Sequence, residues 1–395
     1  MVDVLIIGGG PGGATAATLL ARAGHSVRVL ERERFPRFRI GESLLPAEIP
    51  IFERLGFELP AGATLRKLGA EFLDEATGAW AEYRFADGLP GTLGHAVHVE
   101  RAPFDEALLA QARRAGADVR EGERALDVKI DGDGVQVRTE AGSHHARYVV
   151  DATGQDALLA RRHRTVEPTK GFGIAAVYSH FQDVRPEVLE ALAAGGNNIQ
   201  ILLVEAGWCW VIPLGSGKLS IGVVSARKGL GADDLHRVLA RSERLTWLTT
   251  DATASAPRLV GNFSYTNRAP AGARYACVGD AAAFLDPVFS SGVALAMISA
   301  ERMADLLSPA LAEDREAAPD LMAPLKAHME RAYTTFGNLI HSFYHTKIVQ
   351  HLFFHPDPDP ELRAGLITVL AGDVWREDNR FQNMLLSSTR RQRRS

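Results

Sequence analysis

The chain has 395 residues, 46% apolar and 23% charged, with 44 Lys+Arg against 48 Asp+Glu for a net charge of -4. That composition excludes disorder and collagen-like structure, gives no electrostatic reason for nucleic acid as a partner, and suggests two or three packed units. Two cysteines, Cys209 and Cys277, are too few for a disulfide framework and lack metal-ligand spacing. No stretch approaches the roughly 18 apolar residues of a membrane span, and Asp3 before a short apolar run does not make a signal peptide. The expectation is a soluble, cytoplasmic protein.

Met1 to Ile7 reads as a buried strand, because a continuous β-branched run suits a parallel sheet covered on both faces. Gly8-Gly9-Gly10-Pro11-Gly12-Gly13 follows, then an Ala/Leu-rich helix from Ala14 to Ala23 closed by Gly24, then a strand from Ser26 that ends at Glu31. The spacing is G-x-G-x-x-G over Gly8, Gly10 and Gly13, in a strand–turn–helix setting. Gly8 permits the turn, Gly10 lets backbone approach a diphosphate, and Gly13 lets helix and strand pack closely. The helix start, from Pro11 and Gly12 to Ala14, offers free N–H groups to phosphate. Glu31 lies where a carboxylate accepts from a ribose 2′-hydroxyl, so the nucleotide is FAD or NAD rather than NADP. The alternative is a glycine-rich turn with no ligand.

Two more segments bear on the cofactor. Val99 to Asp105 leads into a helix from Glu106 to Ala115, with Arg101 just before it, and Arg274 to Val278 is a strand ending in Gly279-Asp280. This arrangement resembles the FAD-binding fold shared by aromatic hydroxylases, flavin-dependent halogenases and geranylgeranyl reductases. The resemblance implies non-covalent FAD, an Asp280 carboxylate on the ribityl chain, an Arg101 contact, and a helix after Pro287 aimed at the flavin pyrimidine. The plainer role for Asp280 is a helix N-cap.

Four segments are similar to the halogenase branch. Phe35 to Pro46 (Phe-Pro-Arg-Phe-Arg-Ile-Gly-Glu-Ser-Leu-Leu-Pro) looks like the loop after its second strand, which brings Arg32, Arg39, Ile40, Gly41 and Ser43 to the cofactor. Asp286 to Val293 looks like its flavin-contacting loop, with Pro287, Ser290, Ser291, Gly292 and Val293 near the flavin and a halide held at Ser291-Gly292. Trp208-Cys209-Trp210-Val211-Ile212-Pro213 fits W-x-W-x-I-P, and Lys67 sits where the catalytic lysine of halogenases sits. The implied chemistry converts halide, O₂ and reduced flavin into hypohalous acid, which the Lys67 ammonium directs onto an electron-rich ring. Trp208 and Trp210 would separate flavin from substrate. Bland readings stand beside these: Trp208 and Trp210 as sheet-face packing, and Lys67 as a solvated surface lysine. Val288-Phe289-Ser290 is apolar where tryptophan halogenases carry a glutamate, which is closer to the phenol and pyrrole branches. Asp151-Ala152-Thr153-Gly154 replaces the Asp-Gly pair of NADPH-using hydroxylases and places Asp151 and Gly154 at the cofactor. With no second dinucleotide fingerprint, a separate flavin reductase is implied.

The expected fold is α/β. A discontinuous Rossmann-type FAD-binding domain spans 1–67, 97–165 and 263–312, a β-rich substrate domain 68–96 and 166–262, and a helical C-terminal region 313–395. Phe172 to His180 and Leu219 to Val224 are read as alternating strands, Ala281 to Ala312 as helical, and Glu316 to His351 as one or two helices. His341/His345 and His351/His355 have i,i+4 spacing but no third ligand, so no metal is expected. Phe336, Phe343, Tyr344, Phe353 and Phe354 suit core or a substrate lid, and Arg390 to Arg394 a frayed tail. The functional expectation is a halogenase-like FAD oxidoreductase acting on a small molecule, free or carrier-tethered. The rivals are a monooxygenase, a geranylgeranyl-reductase-like flavin reductase, and a non-catalytic flavoprotein.

Overall fold

A computed structural model describes residues 1–169, 171–172, 175–225, 229–261, 264–346 and 352–392, with backbone alone from 388 onward. The strand Val2–Ile7 is central, parallel to Val27–Glu31 on one side and Ser143–Asp151 on the other. Asp118–Glu121 and Tyr275–Cys277 extend the parallel array outward on those two sides. Val4, Leu5 and Ile6 are fully buried, as an apolar run covered on both faces requires. The fold is therefore α/β with a Rossmann-type parallel core.

The first helix is Pro11–Arg22. It starts three residues earlier than the sequence suggests, because Pro11 occupies a first-turn position where its missing N–H costs nothing. The same effect places Arg101 inside its helix: Pro103 is accommodated in the first turn of Arg101–Arg114, so Arg101 belongs to that helix rather than preceding it. The stretch expected to be helical from Ala281 begins with a single turn Gly279–Ala281, a two-residue strand Ala283–Phe284 and a turn Pro287–Phe289; the long helix is Ser291–Ala312. Asp286 and Pro287 break it, with the Asp286 side chain accepting from the Val288 N–H at 3.0 Å.

A second sheet runs Thr253–Ala254, Ala175–Gln182, Leu219–Ser225, Gly207–Pro213, Ile199–Val204, Gly69–Asp74 and Ala79–Arg84, with Arg258–Gly261 also paired to Ala175–Gln182. One of its faces packs toward the parallel domain through Tyr178, Trp208, Trp210 and Ile212. The other carries Val177, Cys209, Val211, Ile221 and Val223, beneath Leu235, Val238, Leu245 and Leu248. Leu219–Ser225 is consequently buried throughout, not half-exposed. A short ribbon, Thr64–Lys67 against Ala96–Val99, joins the two regions.

Beyond it lie helices Ala323–His345, Pro360–Leu370 and Arg380–Gln392. The last takes in Arg390 and Arg391, expected to be frayed, while residues 393–395 lie outside the described residues. Among the described residues no helix is long and apolar enough to cross a membrane. None of their His, Cys, Asp or Glu clusters could hold a metal; the His345 ring bonds the Gly171 carbonyl, and His351 lies outside the described residues.

Candidate active site

The glycine turn is built by close approach. A Cβ on Gly8 (φ +104°) would lie 2.3 Å from the Ala152 carbonyl oxygen, and one on Gly13 would lie 1.9 Å from the Gly8 oxygen. Gly10 differs: the nearest atom to a Cβ there is Arg37 Nη2 at 3.4 Å, so its open side faces away from the fold. Glu31, at the strand end, accepts from the Gly9 N–H at 2.7 Å and the Glu33 N–H at 2.9 Å, which ties the acid to the turn.

Asp151 is engaged by its own turn. Its Oδ1 accepts from the Thr153 N–H and hydroxyl at 3.0 and 2.6 Å, its Oδ2 from the Leu159 N–H at 2.7 Å, and it is fully buried. Those bonds shape the turn into which Gly154 fits at φ +64°. Arg32 and Arg39 lie at the exposed rim, ion-paired with Asp156 and Glu33.

Arg101 is buried and bidentate to Asp105, with both contacts at 2.9 Å. Its Nη1 donates to the Ile40 and Gly41 carbonyls at 2.6 and 3.3 Å, which fixes the loop before Glu42. A Cβ on Gly41 (φ +104°) would sit 2.9 Å from that guanidinium and 3.7 Å from Val293. The loop thus packs between Arg101 and the start of the long helix. Asp280 faces the same arginine; burial pushes its carboxyl up to about 7, against the lowering effect of Arg101. It caps no long helix, since Ser290 (φ +55°) holds that position and Ser291 is buried behind it.

Lys67 is not a surface lysine. It is 1% exposed, its Nζ donates to Ser43 Oγ at 2.7 Å and lies 5.4 Å from the Phe85 ring centre. Burial lowers its pKa to about 7, with Glu48 acting in the opposite sense. Glu48 is fully buried and pushed up to about 8 by desolvation, and its Oε1 has no hydrogen-bond partner.

Trp208 and Trp210 share a face, as their spacing predicts, with ring centres 6.1 Å apart. Tyr178 and Phe38 continue the aromatic row, Phe343 meets Trp208 edge-on, and Phe289 meets Phe343. Gly222 makes room for Trp210, whose ring would lie 2.3 Å from a Cβ there. The Trp208 indole donates to the Tyr344 hydroxyl at 2.8 Å, and Tyr344 donates to Asp286 at 3.0 Å, so the tryptophan wall is tied to the Asp286–Val293 loop.

Four participants have no local sequence signal for their roles. Asp105 has only its i,i+4 spacing from Arg101. Arg37 sits beside Gly10. Glu48 faces Lys67. His180 pairs with Glu42 at 2.6 Å across two elements far apart in the chain.

An FAD fits this arrangement: a glycine turn open at Gly10, a carboxylate at the second strand's end, and a buried Arg101 faced by the Asp280 carboxyl beside a loop of small residues. The family model described as tryptophan halogenase matches residues 3–90 and 77–355. Among curated relatives, the 1H-pyrrole-2-carbonyl-[peptidyl-carrier protein] chlorinase of Pseudomonas fluorescens is 28% identical over 94% of this chain and 89% of its own length. The tryptophan 2-halogenase of Chondromyces crocatus is 30% identical over 89% of this chain and 69% of its own. Among solved structures, the flavin-dependent brominase Bmp2 superposes with a TM-score of 0.86 at 26% identity, covering 100% of this chain and 99% of that one. A flavoprotein/dehydrogenase from Cytophaga hutchinsonii superposes equally well, at 0.86 and 26%, covering 100% of both chains.

Proposed function

Because this chain belongs to the tryptophan halogenase family and is an FAD-dependent, halogenase-like oxidoreductase, we propose that it halogenates an electron-rich ring of the phenol or pyrrole kind. In this reading Gly8 to Ala14 and Glu31 hold the ADP half of FAD. Arg101, Asp280 and the Ile40–Ser43 and Pro287–Val293 loops hold the flavin half. When bound and reduced, FAD supplies the electrons that activate dioxygen. A halide rests at the Ser291 and Gly292 amides, where the N-terminus of the long helix favours an anion. The Lys67 ammonium receives hypohalous acid and directs the halogen, while Trp208 and Trp210 keep substrate off the flavin.

The carrying observation is the burial of Lys67 on Ser43. A fully buried lysine held by a single hydroxyl, its pKa displaced by desolvation, is the pattern of a functional group rather than of a solvated surface lysine. The apolar Val288-Phe289-Ser290 segment supplies no carboxylate to activate an indole, which favours rings already activated by oxygen or a pyrrole nitrogen. A carrier-tethered substrate is the preferred form, by analogy with the pyrrolyl-carrier chlorinase. A separate flavin reductase supplies the electrons, and the setting is cytoplasmic. Mass spectrometry of products made with and without bromide tests this reading. Brominated product is expected from the wild type and none from Lys67→Ala; a wild type that hydroxylates substrate and never incorporates halide is a monooxygenase.

A further inference from the structure

The glycine fingerprint accounts for the backbone side of a diphosphate site but supplies no side-chain cation. Arg37 stands at that place. Its Nη2 is the nearest atom to the open side of Gly10, at 3.4 Å from a Cβ built there. Its Nη1 donates to Asp105 at 2.8 Å, and its Cζ lies over the Phe35 ring, 4.4 Å from the ring centre. Its Nε is buried and has no hydrogen-bond partner. The side chain is 9% exposed. A guanidinium this enclosed normally satisfies its donors, so an idle Nε calls for an acceptor.

The ion pairing points the same way. Asp105 is fully buried and shared: both its oxygens hold Arg101, and Oδ2 also holds Arg37. Arg37 therefore has only a share of one carboxylate oxygen and keeps donors to spare. Arg101 spends its remaining donor on the Ile40 and Gly41 carbonyls, whereas Arg37 faces the glycine turn. Burial also lowers the pKa of Arg37, against the pull of Asp105 and Glu31.

We infer that Arg37 is a diphosphate ligand of the cofactor, aimed at Gly10 by its Asp105 ion pair and its stacking on Phe35. The inference rests on the FAD reading above and adds to it a side chain that binds the diphosphate by charge and fork geometry. Guanidinium suits this task because its planar donors meet two phosphate oxygens at once, which a lysine ammonium meets as a point charge only.

The test measures binding to refolded apoprotein by flavin fluorescence, with ADP and adenosine as competitors. Arg37→Gln should weaken FAD and ADP by the same factor, roughly ten- to a hundredfold, and leave adenosine unchanged. Arg37→Lys should recover part of that loss, which separates charge from misfolding. An Arg37→Gln protein that binds FAD within twofold of wild type overturns the inference. So does one that loses FAD affinity but keeps ADP affinity, since Arg37 would then act on the flavin half through its loop. A wild-type apoprotein that binds no FAD overturns the flavin reading itself, a result distinct from either.

Discussion

Replacing Lys67 by methionine should stabilise the protein at pH 6 while abolishing halogenated product. The folded-state pKa of about 7, against the ordinary 10.5 of a lysine, corresponds to about 5 kcal/mol disfavouring the buried ammonium. Methionine keeps most of the side-chain volume and removes that term. Against it stands the Ser43 hydroxyl, 4% exposed, which loses its partner at about 1–3 kcal/mol. Glu48 does not become an orphaned charge at pH 6, because burial holds its carboxyl neutral up to about 8. The balance is a gain of roughly 2–4 kcal/mol, or a rise in Tm of about 2–5 °C for a chain of this size. The pH dependence has a fixed sign. Lys67 has a depressed folded pKa, so below pH 7 both states are protonated and the penalty is complete; it fades as pH rises toward 10.5, where the unfolded chain also gives up the proton. Wild-type stability should therefore climb across pH 7 to 10.5 relative to Lys67→Met, and the variant's advantage should vanish there. Chemical denaturation at pH 6, 8 and 10, with FAD content and bromide incorporation measured in parallel, reads all of this. A Lys67→Met protein that is less stable at pH 6, or that still brominates, would refute the reasoning, since the lysine would then be a structural group.

Three further outcomes follow from the geometry. Gly10→Val should fold but remain colourless, because only the Arg37 tip stands near its side chain, whereas Gly13→Val should fail to fold, its Cβ colliding with the Gly8 carbonyl; absorbance at the flavin band and circular dichroism distinguish them. Tyr344→Phe should lose about 1–2 kcal/mol and alter tryptophan emission, because the buried Trp208 N–H loses its acceptor; unchanged emission and stability would dissociate Tyr344 from the wall. NADPH alone should bleach the flavin slowly in stopped-flow, with turnover restored by a separate flavin reductase, whereas fast substrate-triggered reduction by NADPH or NADH would mark a self-sufficient hydroxylase.

What the sequence discloses and what it hides divide along the range of the interactions. The glycine turn is legible because its defining contact, Gly13 against the Gly8 carbonyl, lies within one strand–turn–helix unit, although Gly9 and Gly12 also answer to Leu109 and Ala296 far along the chain. The tryptophan pair is legible as a shared face because strands alternate, but not as a wall tied to the Asp286–Val293 loop: the Trp208 acceptor, Tyr344, is 136 residues away. Arg66-Lys67 in isolation reads as polar surface. It is the antiparallel ribbon to Ala96–Val99, with Ser43 bridged to His98 beside it, that closes over the ammonium. Asp151 is legible by its place at a strand end beside the glycine turn, but not as the acceptor of the Thr153 and Leu159 amides, which take both its oxygens.

These long-range contacts converge on one segment. Arg37 faces the glycine turn. Ile40 and Gly41 give their carbonyls to Arg101, Glu42 reaches His180 on the second sheet, and Ser43 holds Lys67. Successive residues of an extended chain point to opposite sides, so Glu42 and Ser43 serve two different surfaces without a bend between them. Seven residues therefore link the glycine turn, the sheet that carries the tryptophans, and the buried ammonium. Arg101, itself held by Asp105, fixes the Ile40 and Gly41 carbonyls just before Ser43, so the acceptor of the Lys67 ammonium is held by that ion pair on one side and by its bridge to His98 on the other.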